Sequence, residues 1–133
     1  MNAEVAAFLA KAGESLESAE ADFTANRYNS CANRCYYACF QAAIAALLRA
    51  GIKSPAKANQ WSHTFVHGAF VGQLINRQKR YDATIRDSLA LLLDLRQTAD
   101  YRSQAVPQQK ASRALRRTKA FLGEVRAIGG ESR

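Results

Sequence analysis

Apolar residues recur along this chain at the three- and four-residue spacing of helices, and no segment alternates as strand residues do. Val5, Phe8, Leu9, Ala12, Leu16, Ala19 and Phe23 form one face of a first helix, with Glu14, Glu17 and Glu20 turned mostly outward. Asn26 to Ser30 predicts a tight connection, in which Asn29 or Ser30 caps the next helix. That second helix runs from about Cys31 to Ala50 and stops at Gly51. It is apolar almost all round apart from Asn33, Arg34 and Gln41, which predicts a central place in a bundle. Arg34, Tyr37 and Gln41 make a polar and aromatic line on it, while Tyr36 is expected to pack elsewhere. Residues 51–62 are the one long irregular connection, and Ser62 is expected to cap a third helix, about His63 to Asn76. Phe65, Phe70 and Leu74 are its expected core residues.

A fourth helix is expected after the basic corner Arg77–Lys79–Arg80, running to about Ser103 and ended by Val106–Pro107. Ile85, Leu89, Leu92 and Ala99 share one row of it, and Arg96 belongs to the same row. An ionised group without partners is too costly to bury. Arg96 must therefore pair with a carboxylate, face another subunit across a polar seam, or point into a cleft that takes an anion. Asp100 lies four residues on, within reach on the same face. The plain reading is an ordinary helical ion pair; the sharper one is a functional site. A fifth helix, about Gln108 to Ile128, shows Ala111, Ala114, Leu115, Thr118, Phe121, Leu122, Val125 and Ile128 on one face. Its other surface carries Lys110, Arg113, Arg116, Arg117 and Lys119, which reads either as a solubilising face or as phosphate contacts. The expectation is one all-α domain over residues 1–128, a bundle of four to five helices, with 129–133 frayed.

The charge is unevenly spread. Residues 1–66 hold six Lys or Arg and five Asp or Glu, a net of +1, whereas 67–133 hold thirteen and six, a net of +7. A one-sided positive field favours polyanions such as nucleic acid or an acidic partner. No apolar run approaches the ~18 residues of a membrane span. The N-terminal stretch lacks a basic leader with an apolar block, so a cytoplasmic protein is expected. Cys31, Cys35 and Cys39 make one helical row, which suits close packing better than a disulfide framework. His63 and His67 are four apart and share a face, but a two-histidine metal site needs a third ligand that no spacing supplies. Solvated or cap-proximal histidines are the plain reading, and a phosphate or active-site role is the alternative. No metal or cofactor is expected.

Three stretches together resemble the HEPN domain family, in its compact prokaryotic stand-alone form. They are Asn33–Leu48 (NRCYYACFQAAIAALL), Ser62–His63 at the head of helix three, and Leu95–Arg102 (LRQTADYR) near the end of helix four. The resemblance runs from about Ala6 to Val125. It implies an up-and-down helical bundle, a homodimer with its cleft at the seam, and RNA or nucleotide as ligand. It also implies a nucleotidyltransferase-like antitoxin as partner in a toxin–antitoxin or defence system. Active ribonucleases of the family carry a histidine four to six residues after an arginine; here Arg96 matches the arginine, but Tyr101 stands five residues on. Histidine, with an ordinary pKa of ~6.5, exchanges protons near neutral pH far better than tyrosine at ~10. The residues implied for catalysis are Arg96 and Tyr101, and those for phosphate or RNA are Arg34, Tyr37, His63, His67, Asp100 and Arg102. Two functions follow: a binding module that partners a nucleotidyltransferase, favoured by the missing histidine, and a metal-independent ribonuclease toxin.

Overall fold

The computed structural model describes residues 3–55 and 60–129, excepting the side chains of 128 and 129. Five helices pack as a bundle, with no strand among the described residues: α1 (Ala3–Thr24), α2 (Tyr28–Arg49), α3 (His63–Ala69), α4 (Ser88–Tyr101) and α5 (Gln108–Gly129). None of the described helices is long and apolar enough to cross a membrane. The fraying expected from Gly129 onward lies, past that residue, outside the described residues, as does the burial expected of Ile128.

Helix α2 is the centre of the bundle, as its all-round apolar pattern predicts. Thirteen of its side chains are buried, the three cysteines among them, and those cysteines are free thiols. Alanine and cysteine keep its surface narrow, so α1, α4 and α5 all approach its backbone closely. Its C-terminus closes with Gly51 in the left-handed region at φ 81°. The Ile52 N–H donates to the Leu47 carbonyl at 2.9 Å and the Gly51 N–H to that of Leu48 at 3.0 Å, a paired closure that satisfies two end carbonyls.

The N-terminus of α2 differs from expectation. The helix begins at Tyr28, three residues early, and neither Asn29 nor Ser30 caps it. Both side chains serve the tertiary structure instead. The Ser30 hydroxyl donates to Asp22 at 2.5 Å, and Asn29 Oδ1 accepts from the Val106 N–H at 2.9 Å. Asp22 also takes Arg27 Nε at 3.0 Å, so one buried carboxylate holds the α1–α2 corner.

Ser62 caps α3 as expected, accepting from the Phe65 N–H at 3.0 Å. The helix then widens into a π-helical segment, Phe70–Arg77. With i→i+5 hydrogen bonding, residues four and five apart come onto one side, and Phe70, Leu74 and Ile75 are buried together. Phe65 is only half-buried, short of the core place expected for it. Helix α4 starts later than expected, at Ser88, after a 3₁₀ turn at Ala83–Ile85 in which the Thr84 N–H donates to the Asp82 carboxylate. Ile85, Leu89 and Leu92 remain buried, so the predicted row survives the break.

Removing the Asp22 carboxylate strands two donors and costs about 1.5–3 kcal/mol by the worth of hydrogen bonds to a charged group. Urea unfolding of Asp22→Ala should show that loss. Arg27→Ala, whose side chain is 60% exposed, should stay within about 1 kcal/mol of wild type.

Candidate functional site

The row Ile85–Leu89–Leu92 seats α4 against α2, and Arg96 enters next, where α2 presents Asn33, Tyr36 and Tyr37. The Arg96 side chain is 15% exposed. Its Cζ lies 5.2 Å from the centre of the Tyr37 ring, 5.8 Å from Tyr36 and 5.9 Å from Tyr101. Three aromatic rings within cation–π range lower the cost of taking the guanidinium partly out of water. Asp100 Oδ2 is 3.3 Å from Arg96 Nε, the helical ion pair that the spacing predicts. The alignment is ionic rather than a directed hydrogen bond, so Nε is a buried atom with no hydrogen-bond partner among the described residues.

Asp100 is itself held across the helix pair, because Asn33 Nδ2 donates to its Oδ2 at 2.9 Å. The Asn33 oxygen accepts from Arg34 Nε at 3.1 Å and from Nη2 at 2.7 Å. Arg34 also lies over the outer ring, with Cζ 5.3 Å from the centre of Tyr37. Two arginines therefore flank one carboxylate, which leaves the patch positive. Gln41 does not belong to it: its amide meets the Ser15 hydroxyl at 2.8 Å in the α1–α2 contact.

The expectation for Tyr36 fails. It packs at the heart of the site, fully buried, and its hydroxyl contacts His63 Nδ1 and, at 2.8 Å, His67 Nε2. The capped start of α3 aims both histidines, one turn apart, at this phenol. Phe40 lies beneath, 4.8 Å from the centre of the His63 ring and 5.7 Å from that of Tyr36. The histidines are half-buried rather than solvated. Among the described residues, no three His, Cys, Asp or Glu side chains converge as a metal site requires.

Burial sets the protonation of the cluster. It pushes the Tyr36 phenol well above its ordinary value; Tyr37 adds to this and Arg96 opposes it. The phenol is thus neutral and serves as both donor and acceptor. Burial also lowers His63 below its ordinary 6.5, helped by the positive charge of Arg96, and lowers His67, helped by His63. Both imidazoles are neutral at pH 7.

Along the chain, a HEPN domain matches residues 5–128. The chain belongs to the HEPN family. Members are associated with nucleotide binding and ribonuclease activity in defence and toxin–antitoxin systems. Comparison with curated proteins finds none that matches the chain.

In this HEPN domain the structure brings together seven of the eight residues singled out from sequence. Arg34, Tyr37, Arg96 and Asp100 share the α2–α4 seam, and His63 and His67 join it through Tyr36. Tyr101 stands at the edge, 75% exposed, beside Arg96. Arg102 turns away, donating to Thr98 at 2.8 Å and lying 3.4 Å from Asp94. Sequence reasoning missed Tyr36 and the bridging role of Asn33. The signal for Tyr36 was its spacing, one residue off the Arg34–Tyr37 line and onto the buried row that faces α3. The basic run on α5 is separate: Lys110, Arg113 and Arg117 line a cleft with Leu91 and Leu95, and Lys119 pairs with Glu20 at 3.2 Å.

A histidine whose folded pKa lies below its unfolded value binds fewer protons when folded. The stability it supports is therefore complete above about pH 6.5 and lost as pH falls through the folded value. Thermal melts from pH 7.5 to 5 should show the wild type losing stability on acidification. A His63→Gln, His67→Gln variant should lose less over the same range.

Proposed function

We propose that this HEPN domain binds RNA or nucleotide phosphate at Arg96, works as a homodimer, and partners a nucleotidyltransferase in a toxin–antitoxin or defence system. The observation that carries this reading is the state of the Arg96 guanidinium. It is caged by three tyrosine rings and held at Nε by Asp100, and its Nη groups donate no hydrogen bond to the described residues. A planar forked donor held in this way suits a phosphate oxygen pair. Tyr101 beside it, 75% exposed, offers a ring on which a nucleobase can stack. Arg34 adds a second positive charge, and the net charge of +8 draws a polyanion toward the molecule.

The homodimer rests on family membership and on the position of the site. The patch lies along the α2–α4 seam and ends in the exposed ring of Tyr101. A two-fold partner seated there would enclose it and double its charge. The partner enzyme rests on family association. A second reading, RNA cleavage, is favoured by the two histidines that reach the site from α3.

Arg96→Ala should weaken binding of a fluorescent single-stranded RNA by roughly tenfold or more, the worth of a charge-assisted contact of about 1.5–3 kcal/mol. Arg96→Lys should recover only part, since lysine lacks the fork. Affinity should fall with added salt, as counterion release requires. Unchanged affinity in Arg96→Ala would make Arg96 a structural ion-pair residue and end this reading. Light scattering at micromolar concentration should give about twice the 14.6 kDa chain mass; a monomer removes the enclosed seam.

A further inference from the structure

The geometry points to a proton relay in which Tyr36 joins His63 and His67 into one acid–base unit, acting on the ribose 2′-hydroxyl of an RNA strand anchored at Arg96. The inference rests on the phosphate-binding reading above and adds a reaction to it. It also moves the acid–base work from the end of α4, where Tyr101 replaces the family's histidine, to helix α3.

The argument starts from counting protons. A neutral phenol has one proton to give and lone pairs to receive with, and Tyr36 contacts a ring nitrogen of each histidine. One contact must therefore be O–H to nitrogen and the other N–H to oxygen. When Tyr36 donates to His67 Nε2, His63 Nδ1–H donates to Tyr36, and the lone pair of His63 lies on Nε2, the nitrogen that Tyr36 does not engage. That nitrogen is a base. Reversing both hydrogen bonds produces the opposite tautomers, so a proton taken up at His63 can reappear as charge on His67 without any ring leaving its place.

Burial disfavours positive charge on both histidines; Arg96 adds to this at His63, and His63 adds to it at His67. The charged and titratable groups facing the unit are Tyr36, Tyr37 and Cys39 on α2 and Arg96 on α4, together with each histidine toward the other. Handing the charge to His67 takes it away from the arginine that holds the phosphate. Phe40 and the stacked Tyr36 ring shield the two hydrogen bonds on the core side, which keeps the shuttled proton on its track.

The step balances as follows. His63 Nε2 takes the proton of the 2′-hydroxyl as the 2′ oxygen forms its bond to phosphorus, and the bond from phosphorus to the 5′ oxygen breaks. Nδ1–H of His63 passes to Tyr36 as the phenol proton passes to His67 Nε2. The departing 5′ oxygen takes a proton from solvent and His67 Nδ1 returns one to it, leaving a 2′,3′-cyclic phosphate and a 5′-hydroxyl. The reverse shift, with solvent exchange at the outer nitrogens, restores the starting tautomers. No oxidant or metal enters the balance.

The test uses the full chain, EDTA, and a labelled single-stranded RNA of mixed sequence. The same sequence with 2′-O-methyl riboses serves as a binding probe that cannot react. Wild type should cleave the RNA to cyclic-phosphate ends and bind the methylated strand without cutting it. His63→Ala should cut roughly a hundredfold or more slowly, the typical share of a general base, with binding of the methylated strand within about twofold. Imidazole in the buffer should restore part of that loss. Tyr36→Phe should keep binding but lose at least tenfold in cleavage, and His67→Ala should match it. The wild-type rate should fall as pH drops through the histidine range, as the neutral base disappears. Because Tyr36 is fully buried, His67→Ala carries the relay test alone if the phenylalanine variant fails to fold by circular dichroism. Binding of the methylated strand with intact RNA in EDTA overturns the relay and leaves the binding reading standing. Failure to bind either strand overturns both. Cleavage that survives His63→Ala, or that ignores His67→Ala, also overturns the relay.

Discussion

A phenol hydroxyl placed inside a helical core has to be hydrogen-bonded, because an unpaired polar group there costs about 1–3 kcal/mol. Tyr36 is fully buried, and satisfying its hydroxyl determines much of what surrounds it. Helix α3 must begin at His63, capped by Ser62, for two imidazoles to face the phenol. Helix α4 must lie where Arg96 can rest against the Tyr36 and Tyr37 rings. One side chain on the central helix thus ties the positions of the two helices that bring the remaining site residues.

The same helix explains why this is possible in so small a bundle. Cys31, Cys35, Cys39 and the run of small residues from Ala42 to Ala46, broken only by Ile44, leave room for backbones to come close. The large aromatic side chains buried around α2 then form two clusters, apart from the Phe23–Tyr28 and Trp61–Phe65 pairs. Tyr36, Tyr37 and Phe40 form the site, while Phe70, Tyr81 and Phe121 stack in a second cluster. Arg49, at the far end of α2, ties that second cluster to α5 through the Tyr81 hydroxyl and the Val125 carbonyl, at 2.9 and 2.7 Å. Contacts at both ends of α2 thus fix the helix against which Arg96 packs.

Electrostatically, the site works by contrast. Asp100 neutralises one side of Arg96 and is itself fixed by Asn33, so the guanidinium is oriented without being used up. Burial and that same arginine keep His63 neutral, and burial and His63 do so for His67. A permanent cation beside groups able to accept protons is the combination that RNA chemistry asks for at neutral pH.

Helical periodicity along 133 residues determined the all-α class, the order of the elements and the central rank of α2, because burial of a repeated face is a local property of the pattern. Arg96 on an apolar row, with Asp100 one turn on, was legible for the same reason, and so was the Ser62 cap. The π-helical widening after Ala69 and the late start of α4 were not, since both follow from how side chains meet other helices. Asn29 and Ser30 have ordinary capping chemistry, but distant partners, Val106 and Asp22, compete for them and win. The two histidines lie 27 and 31 residues from Tyr36 in sequence, beyond any spacing rule. Only the packing of α3 onto α2 decided that they meet, and it is this meeting that gives a chain lacking the expected histidine after Arg96 a pair of imidazoles at the same seam.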